Sequence, residues 1–320
     1  MLLRPIVVDS FLMRVIRDTK ELQGIELAVT AGFFDGVHRG HRFLIERLQT
    51  MAAQRGLPTA VITFPQHPRK VLQADYQPKL LNSFPEKLEH LEETGIDYCI
   101  LFDFTPELSR LTAEEFIRTI LADQLHTKLL LVGYDHRFGH NRAEGVTEYI
   151  AYGKECGIEV VPGEELETGT SAVSSSEIRR QLLSGHVETA ARLLTYPYQI
   201  KGHIVGGHQV GRKLGFPTAN IRVDEPFKVI PAIGVYAVSV TLQDHVYAGM
   251  LYIGRRPTLN NGEDVTLEVN IFDFNEDIYN NEIGVSFMHY VRGDIRFDSL
   301  EALKDQLEKD RQAVKALMRG

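Results

Sequence analysis

The stretch Gly32-Phe33-Phe34-Asp35-Gly36-Val37-His38-Arg39-Gly40-His41 decides how the first half of this chain is read. It continues the apolar run IELAVTAGF, which reads as a strand. It precedes a segment in which Leu44, Leu48 and Met51 fall on one helical stripe. A strand passing into a helix through such a turn leaves backbone N–H groups free at the positive end of the helix dipole, a setting suited to phosphate. Gly40 lets the backbone approach a bulky polyphosphate closely. His38 and His41, three residues apart, share one side of a helical turn and can donate to phosphate oxygens together. Two histidines at this spacing also occur as plain helix-start residues or in metal sites. Metal ligation has less support here, since no Cys or carboxylate stands beside them at ligand spacing.

Working outward, PTAVITF, IDYCILF, KLLLVG and GIEVV read as further short strands separated by helical stretches. Thr112-Ala-Glu-Glu115 looks like a capping box that opens a helix with Phe116, Ile117, Ile120 and Leu121 inward. Strands alternating with helices imply an α/β fold with a parallel sheet, whose ligands bind beyond the strands' carboxyl ends. Three further segments sit at such ends. Ser174-Ser-Ser-Glu-Ile-Arg179 offers hydroxyls at a helix start and a guanidinium able to grip phosphate oxygens in bidentate fashion. Val132–Gly139 is a candidate cleft wall, though a plain turn would look similar; His67 could reach a ligand, and an imidazole packed beside prolines is at least as good a reading.

From about Tyr198 the pattern changes. GVYAVSVTL, VYAGMLYI, VTLEVNIFDF and EIGVSFMHYV follow one another without helices, with turn signals at Asn260-Asn261-Gly262 and Asn280-Asn281. A closed antiparallel barrel is expected, because closure removes exposed strand edges. A final helix is expected to be capped by Asp298 with Glu301, its apolar face formed by Leu300, Leu303, Leu307, Val314 and Leu317. Ser184–Pro197 is expected to join the halves. Gly206 and Gly211 open like a Walker A loop, but Arg212-Lys213-Leu214 follows, so no P-loop is present. In Gly215-Phe216-Pro217-Thr218-Ala219-Asn220, a hydroxyl and an amide oxygen stand two residues apart, a workable pair for Mg²⁺. If such a pair serves phosphate transfer, a carboxylate nearby could accept a proton as general base. Glu268 alternates with apolar Leu267 and Val269 and so faces opposite to them. By alternation alone a solvated outer-face glutamate is the better reading, and Asp273 and Asp277 are rivals.

The 320 residues suffice for two domains, with 43% hydrophobic and 24% charged residues and a net charge of −8. That balance argues against a nucleic-acid surface, which needs a basic face. No run reaches the roughly 18 to 20 apolar residues that cross a bilayer, so no membrane partner is expected. The N-terminus lacks the features of a signal peptide. Cys99 and Cys156 lie far apart with no CxxC spacing, which fits a reducing cytoplasm. A monomer is expected.

The HxGH spacing resembles the nucleotidyltransferase superfamily signature. In order, GFFDGVHRGH, TFPQHP, VGYDHRFG, SSSEIR, GRKLGFPTAN, GVYAV, IGRRPT, LEVNIFDFNEDIY and RFDSLEAL resemble the prokaryotic bifunctional riboflavin kinase/FMN adenylyltransferase (FAD synthetase) family over nearly the entire chain. The resemblance implies a Rossmann-like HxGH nucleotidyltransferase domain over residues 1–183. It implies a small antiparallel β-barrel riboflavin kinase domain with a C-terminal helix over residues 184–320. Riboflavin would be phosphorylated to FMN with ATP and Mg²⁺, and AMP from a second ATP would then pass to FMN, giving FAD and pyrophosphate. Carried onto this sequence, the resemblance makes Glu268 the kinase base and gives Mg²⁺ contacts to Thr218 and Asn220. It puts ATP phosphates near His38, His41, Ser175, Ser176 and Arg179, with further ATP contacts at Gly32, Phe33, Asp35, Gly36, Gly40, Gly211, Arg212, Gly215, Phe216 and Pro217. Four positions depart from the family's habit: Phe33 for a small polar residue, Ser176 for threonine, Asn270 for the histidine of Glu-x-His, and Tyr252 for asparagine.

Overall fold

The computed structural model describes residues 12–73, 75–134, 136–140, 144–164, 166, 173–206, 215–243, 245–257, 263–276 and 278–319. The chain divides into two compact units. The first runs up to Pro78 and resumes over Asn82–Val173; the second takes Lys79–Leu81 and everything from Ser174 onward.

Six strands form the sheet of the first unit: β1 (Arg14–Ile16), β2 (Leu27–Ala31), β3 (Thr59–Thr63), β4 (Tyr98–Leu101), β5 (Thr127–Val132) and β6 (Glu159–Pro162). They are all parallel, in the order β1-β4-β3-β2-β5-β6. Both faces are covered, which is why these strands read as continuous apolar runs rather than alternating ones. Val29, Ile62 and Leu130 pack with Ile117 and Leu121 on one face. Ala28, Val61 and Leu129 pack with Ile45 and Leu48 of helix Arg39–Ala53 on the other. The Thr112–Glu115 capping box is present, and the helix it opens widens to π-helical pitch over Phe116–Gln124. Five of the six strands match the sequence reading. β1, three residues at the sheet edge, does not appear in it.

The order of strands places the site. From β2 the chain steps outward to β3 and β4 on one side, then returns to lay β5 and β6 on the other. The loops leaving β2 and β5 therefore diverge, and the crevice between them is where ligands bind in sheets of this kind.

The second unit contains β7 (Gln199–Val205), β8 (Ala219–Val223), β9 (Gly234–Leu242), β10 (His245–Pro257), β11 (Glu263–Ile271) and β12 (Glu282–Arg292). They close into a barrel in the order β10-β11-β8-β7-β12-β9. Each neighbouring pair is antiparallel. Its interior is filled by side chains such as Val238, Leu251, Val269, Val285 and Phe287. Outside the wall, Phe216, Met250 and Phe272 pack beneath Val314 of helix Leu300–Leu317.

Three expectations change. Ser299, not Asp298, caps the last helix, its hydroxyl accepting the Ala302 N–H at 3.1 Å. Leu300 and Leu317 are 61% and 40% exposed, so they lie off the packed stripe. That stripe instead includes Asp310, buried and held in bidentate fashion by Arg292 of β12 at 2.7 and 3.0 Å. Ser184–Pro197, expected as a connection, is itself largely helical over Val187–Leu194. Its Val187, Ala190 and Leu194 join Ile178 and Leu182 of helix Ser175–Leu183 in the barrel's apolar cluster. The Asn260–Gly262 turn lies outside the described residues.

Candidate active sites

In the first unit, the loop after β2 folds through three residues with positive φ, Phe34 (54°), Gly36 (87°) and Val37 (35°). For a β-branched residue such as Val37 this backbone is unfavourable, and strain of this kind collects at functional loops. The result is a tight turn closed by Val37 N–H donating to Phe34 O at 3.2 Å. It delivers His38 to the N-cap of helix Arg39–Ala53, where His38 Nδ1 accepts the His41 backbone N–H at 3.4 Å. Because Nδ1 is an acceptor there, the ring proton of neutral His38 belongs on Nε2. The two imidazoles stack, with centroids 3.6 Å apart and planes 15° from parallel. A side chain at Gly40 would bring its Cβ within 3.3 Å of the His38 ring, so glycine keeps this pair together.

His41 Nδ1 is buried with no hydrogen-bond partner among the described residues. An unpaired buried nitrogen costs about 1–3 kcal/mol, a cost that an arriving ligand can offset. Burial, then the neighbouring His38, His136 and Lys87, holds the His41 pKa well below the ordinary histidine value. The ring is therefore neutral at neutral pH. Asp35 is buried and accepts the Asn82 N–H at 3.3 Å. Gly32 continues the strand register, donating to Ile62 O at 3.0 Å. Phe33 meets His67 edge-on at 4.7 Å, so the ring that departs from the family's habit is part of an aromatic wall. His67 itself caps helix Pro68–Leu72 through Nδ1.

Two residues escaped the sequence reading. His136 lies in the turn after β5, on the other side of the strand-order reversal, its N–H donating to Gly133 O at 3.0 Å. Its position in the singled-out Val132–Gly139 segment was the available signal. Lys87 lies in helix Phe84–Glu92 and is 3% exposed. Nothing in its neighbourhood of charged residues distinguishes it from a solvated lysine.

Ser175, Ser176 and Arg179 belong to the second unit. Ser174 is the residue that caps their helix, accepting the Glu177 N–H at 3.2 Å. Ser175 is half-buried and Ser176 exposed. Arg179 Nε donates to the Lys79 carbonyl at 2.6 Å.

The barrel assembles a second group. Asn220 of β8, Glu268 of β11 and Tyr252 of β10 stand directly opposite one another across three adjacent strands. Cross-strand partners share a face. Since Leu267 and Val269 fill the interior, this row lies on the outer face, where Glu268 is half-buried rather than solvated. Thr218 Oγ1 donates to Glu268 Oε2 at 3.4 Å. Asn270, two residues on, is buried and ties down the loop, its amide donating to Pro217 O at 2.6 Å. Gly215 has φ 84°, and the buried Phe216 ring lies 5.4 Å from Arg311. Tyr252 donates to Asp294 at 2.9 Å, and burial first, then that carboxylate, pushes its pKa up to about 12. A Cβ at Gly254 would fall 2.5 Å from the Tyr252 ring, so glycine there gives the ring its room. Asp273, a rival for Glu268, has an 88% exposed side chain that faces Lys315 at 3.8 Å. Asp277, Gly211 and Arg212 lie outside the described residues.

Thr218 is part of the wall of a cavity of about 530 Å³, together with Ile204, Ala219, Val269, Phe274 and Tyr279 among others. Among the described residues no cluster of three or more His, Cys, Asp or Glu could hold a metal ion unaided. A hydroxyl, an amide oxygen and a carboxylate brought together do fit a hard cation that keeps water and phosphate oxygens in its shell.

Comparison with known proteins covers both units of the chain. A family model described as FAD synthetase matches residues 20–177, and one described as riboflavin kinase matches residues 194–318. The bifunctional riboflavin kinase/FMN adenylyltransferase of Listeria monocytogenes is 36% identical over 299 residues, covering 93% of this chain and 94% of the relative. That of Escherichia coli K12 is 36% identical over 300 residues, covering 93% and 95%. The crystal structure of a macrolide-efflux protein from Streptococcus pneumoniae superposes with a TM-score of 0.85 at 31% identity, covering 95% of this chain and 99% of that one. Among the described residues no helix is long and apolar enough to cross a membrane. With both domain models matched in order and the relatives covered nearly end to end, this chain belongs to the bifunctional riboflavin kinase/FMN adenylyltransferase family.

Proposed function

We propose that the chain makes FMN from riboflavin at the Glu268 row and FAD from FMN at the His38–His41 loop. The observation that carries this reading is the Asn220–Glu268–Tyr252 row, with Thr218 both bonded to Glu268 and lining a cavity of about 530 Å³. In the kinase step the Glu268 carboxylate takes the proton of the riboflavin hydroxyl as its oxygen bonds to the γ-phosphorus of ATP and ADP departs. Thr218 and Asn220 would hold Mg²⁺, which when bound neutralises phosphate oxygens; Gly211, Arg212, Gly215, Phe216 and Pro217 would line the nucleotide.

In the second step an FMN phosphate oxygen bonds to the α-phosphorus of ATP, and the bond to the β-phosphate breaks to release pyrophosphate. No covalent enzyme intermediate is needed, so alignment and hydrogen-bond donors carry the catalysis. His38 and His41 supply imidazole donors and the turn Gly32–Gly36 supplies backbone. Ser175, Ser176 and Arg179 add hydroxyls and a guanidinium to the phosphates. In this reading residues 1–183 form the adenylyltransferase domain and residues 184–320 the kinase domain. ATP as co-substrate and two unpaired cysteines favour the cytoplasm. The net charge of −8 favours a monomer.

The test is a product assay on purified protein with riboflavin, ATP and Mg²⁺, repeated with the metal chelated. FMN and FAD are both expected, and neither without the metal. FMN alone would remove the adenylyltransferase from the reading, and product formation undiminished by chelation would remove the metal.

A further inference from the structure

Lys87 is a costly residue to place where it is. A lysine with 3% exposure has lost its water, and its charge persists only if the protein replaces that solvation. The replacement is specific. Nζ donates to Phe64 O at 2.7 Å, Phe33 O at 3.2 Å and Thr63 Oγ1 at 3.3 Å, which uses all three ammonium protons. The charge also lies 4.2 Å from the centre of the Phe33 ring and 5.5 Å from that of Phe84, favourable cation–π distances. Thr63 in turn donates to Phe33 O at 3.2 Å. Thr63 ends β3 and Phe64 follows it, while Phe33 lies in the loop after β2. One ammonium thus fastens together the carboxyl ends of two adjacent strands, at the entrance to the strained turn that carries Asp35, His38 and His41.

We propose that Lys87 is a positioning residue of the adenylyl-transfer site, clamping the loop after β2 to the end of β3 and lending it a fixed positive charge. The inference rests on reading that loop as the phosphate site. Lys87 does not touch substrate, since its three donors are already engaged. It acts by holding the Phe33 carbonyl, and so the turn behind it, and by adding its field to that of the histidines. A neutral amine has two protons and cannot satisfy three acceptors, so deprotonation both loosens the clamp and removes the charge. Phe33 fits this arrangement, because its ring replaces part of the hydration the ammonium has lost.

The groups facing Lys87 set when that happens. Burial lowers its pKa to about 8, opposed by Asp35 and by Cys99, whose own thiol is pushed up to about 11 by burial. His41 feels the Lys87 charge and is neutral. The charged, competent form therefore prevails below about pH 8 and is lost as pH rises through that value. The experiment is the pH profile of kcat/KM for FAD formation from FMN, which reports the free enzyme. FMN formation by the barrel of the same chain serves as internal comparison. Wild type is expected to show a descending limb near pH 8 in FAD formation and none in FMN formation. Lys87→Met is expected to lose about 10²-fold in FAD formation, the scale of a misplaced reacting group, and to lose the limb. Lys87→Met at the wild-type rate overturns the proposal, as does a uniformly slower variant that keeps the limb, since Lys87 would then be only structural. If Lys87→Met does not fold, a wild-type profile without the limb overturns it equally. His41→Asn, run beside it, separates the two readings. Undiminished FAD formation in that variant would remove the phosphate site itself, whereas an inactive His41→Asn with no wild-type limb would remove Lys87 alone.

Discussion

Replacing Glu268 with alanine is expected to lower FMN formation by about 10²–10⁴-fold, the range for loss of a positioned general base, while FAD formation from supplied FMN continues at the wild-type rate. Glu268 stands on the outer face of β11 between two interior residues, Leu267 and Val269, so truncating it opens no hole in the barrel core. Its partner Thr218 loses one acceptor at 3.4 Å, a small change for an exposed hydroxyl. Loss of activity would therefore be chemical. Glu268→Gln, which keeps the volume and gives up the basic oxygen, is expected to be similarly poor. FMN formation within tenfold of wild type in either folded variant would contradict the assignment.

His41→Ala produces the reverse pattern. FAD formation is expected to fall by about 10²–10³-fold, the usual loss for one preorganised donor, with FMN formation unchanged. The ring is stacked on His38 and buried, and its pKa is held low by burial first and then by His38, His136 and Lys87, so it meets its ligand as a neutral donor. The negative charge of a polyphosphate relieves the smaller part of the shift, the repulsion that adds to burial. Its contribution thus grows as charge develops on the leaving group. A loss smaller than tenfold, measured as kcat/KM for FMN at saturating ATP, would contradict the role given to His41.

The sequence made the strands of the first unit legible because a doubly covered parallel sheet writes uninterrupted β-branched runs. β1 was not legible. Three residues, Arg14-Val15-Ile16, are too few to show a period, and only pairing with Tyr98–Ile100 makes them a strand. In the barrel, β7 is interrupted by Lys201, Gly202 and His203, so its alternation shows only once β8 and β12 flank it. The last helix illustrates a near miss of one residue. Asp298 and Glu301 satisfy the capping-box spacing, yet Ser299 makes the bond and shifts the apolar stripe off Leu300. Glu268 illustrates a different limit. Alternation fixes which face a strand residue takes but says nothing of what lies against that face. Asn220 and Tyr252, which turn a solvated position into part of a row, come from strands far apart in sequence. Lys87 lies beyond that limit too, since its acceptors belong to the ends of two other elements.

Two self-sufficient sites on one chain, connected by FMN, should complement one another in trans. The most direct test mixes the Glu268→Ala and His41→Ala proteins and supplies riboflavin, ATP and Mg²⁺. Neither variant alone is expected to make FAD from riboflavin, and the mixture is expected to make it after a lag in which free FMN accumulates. No FAD from the mixture, when each protein still performs its remaining half-reaction, would contradict it.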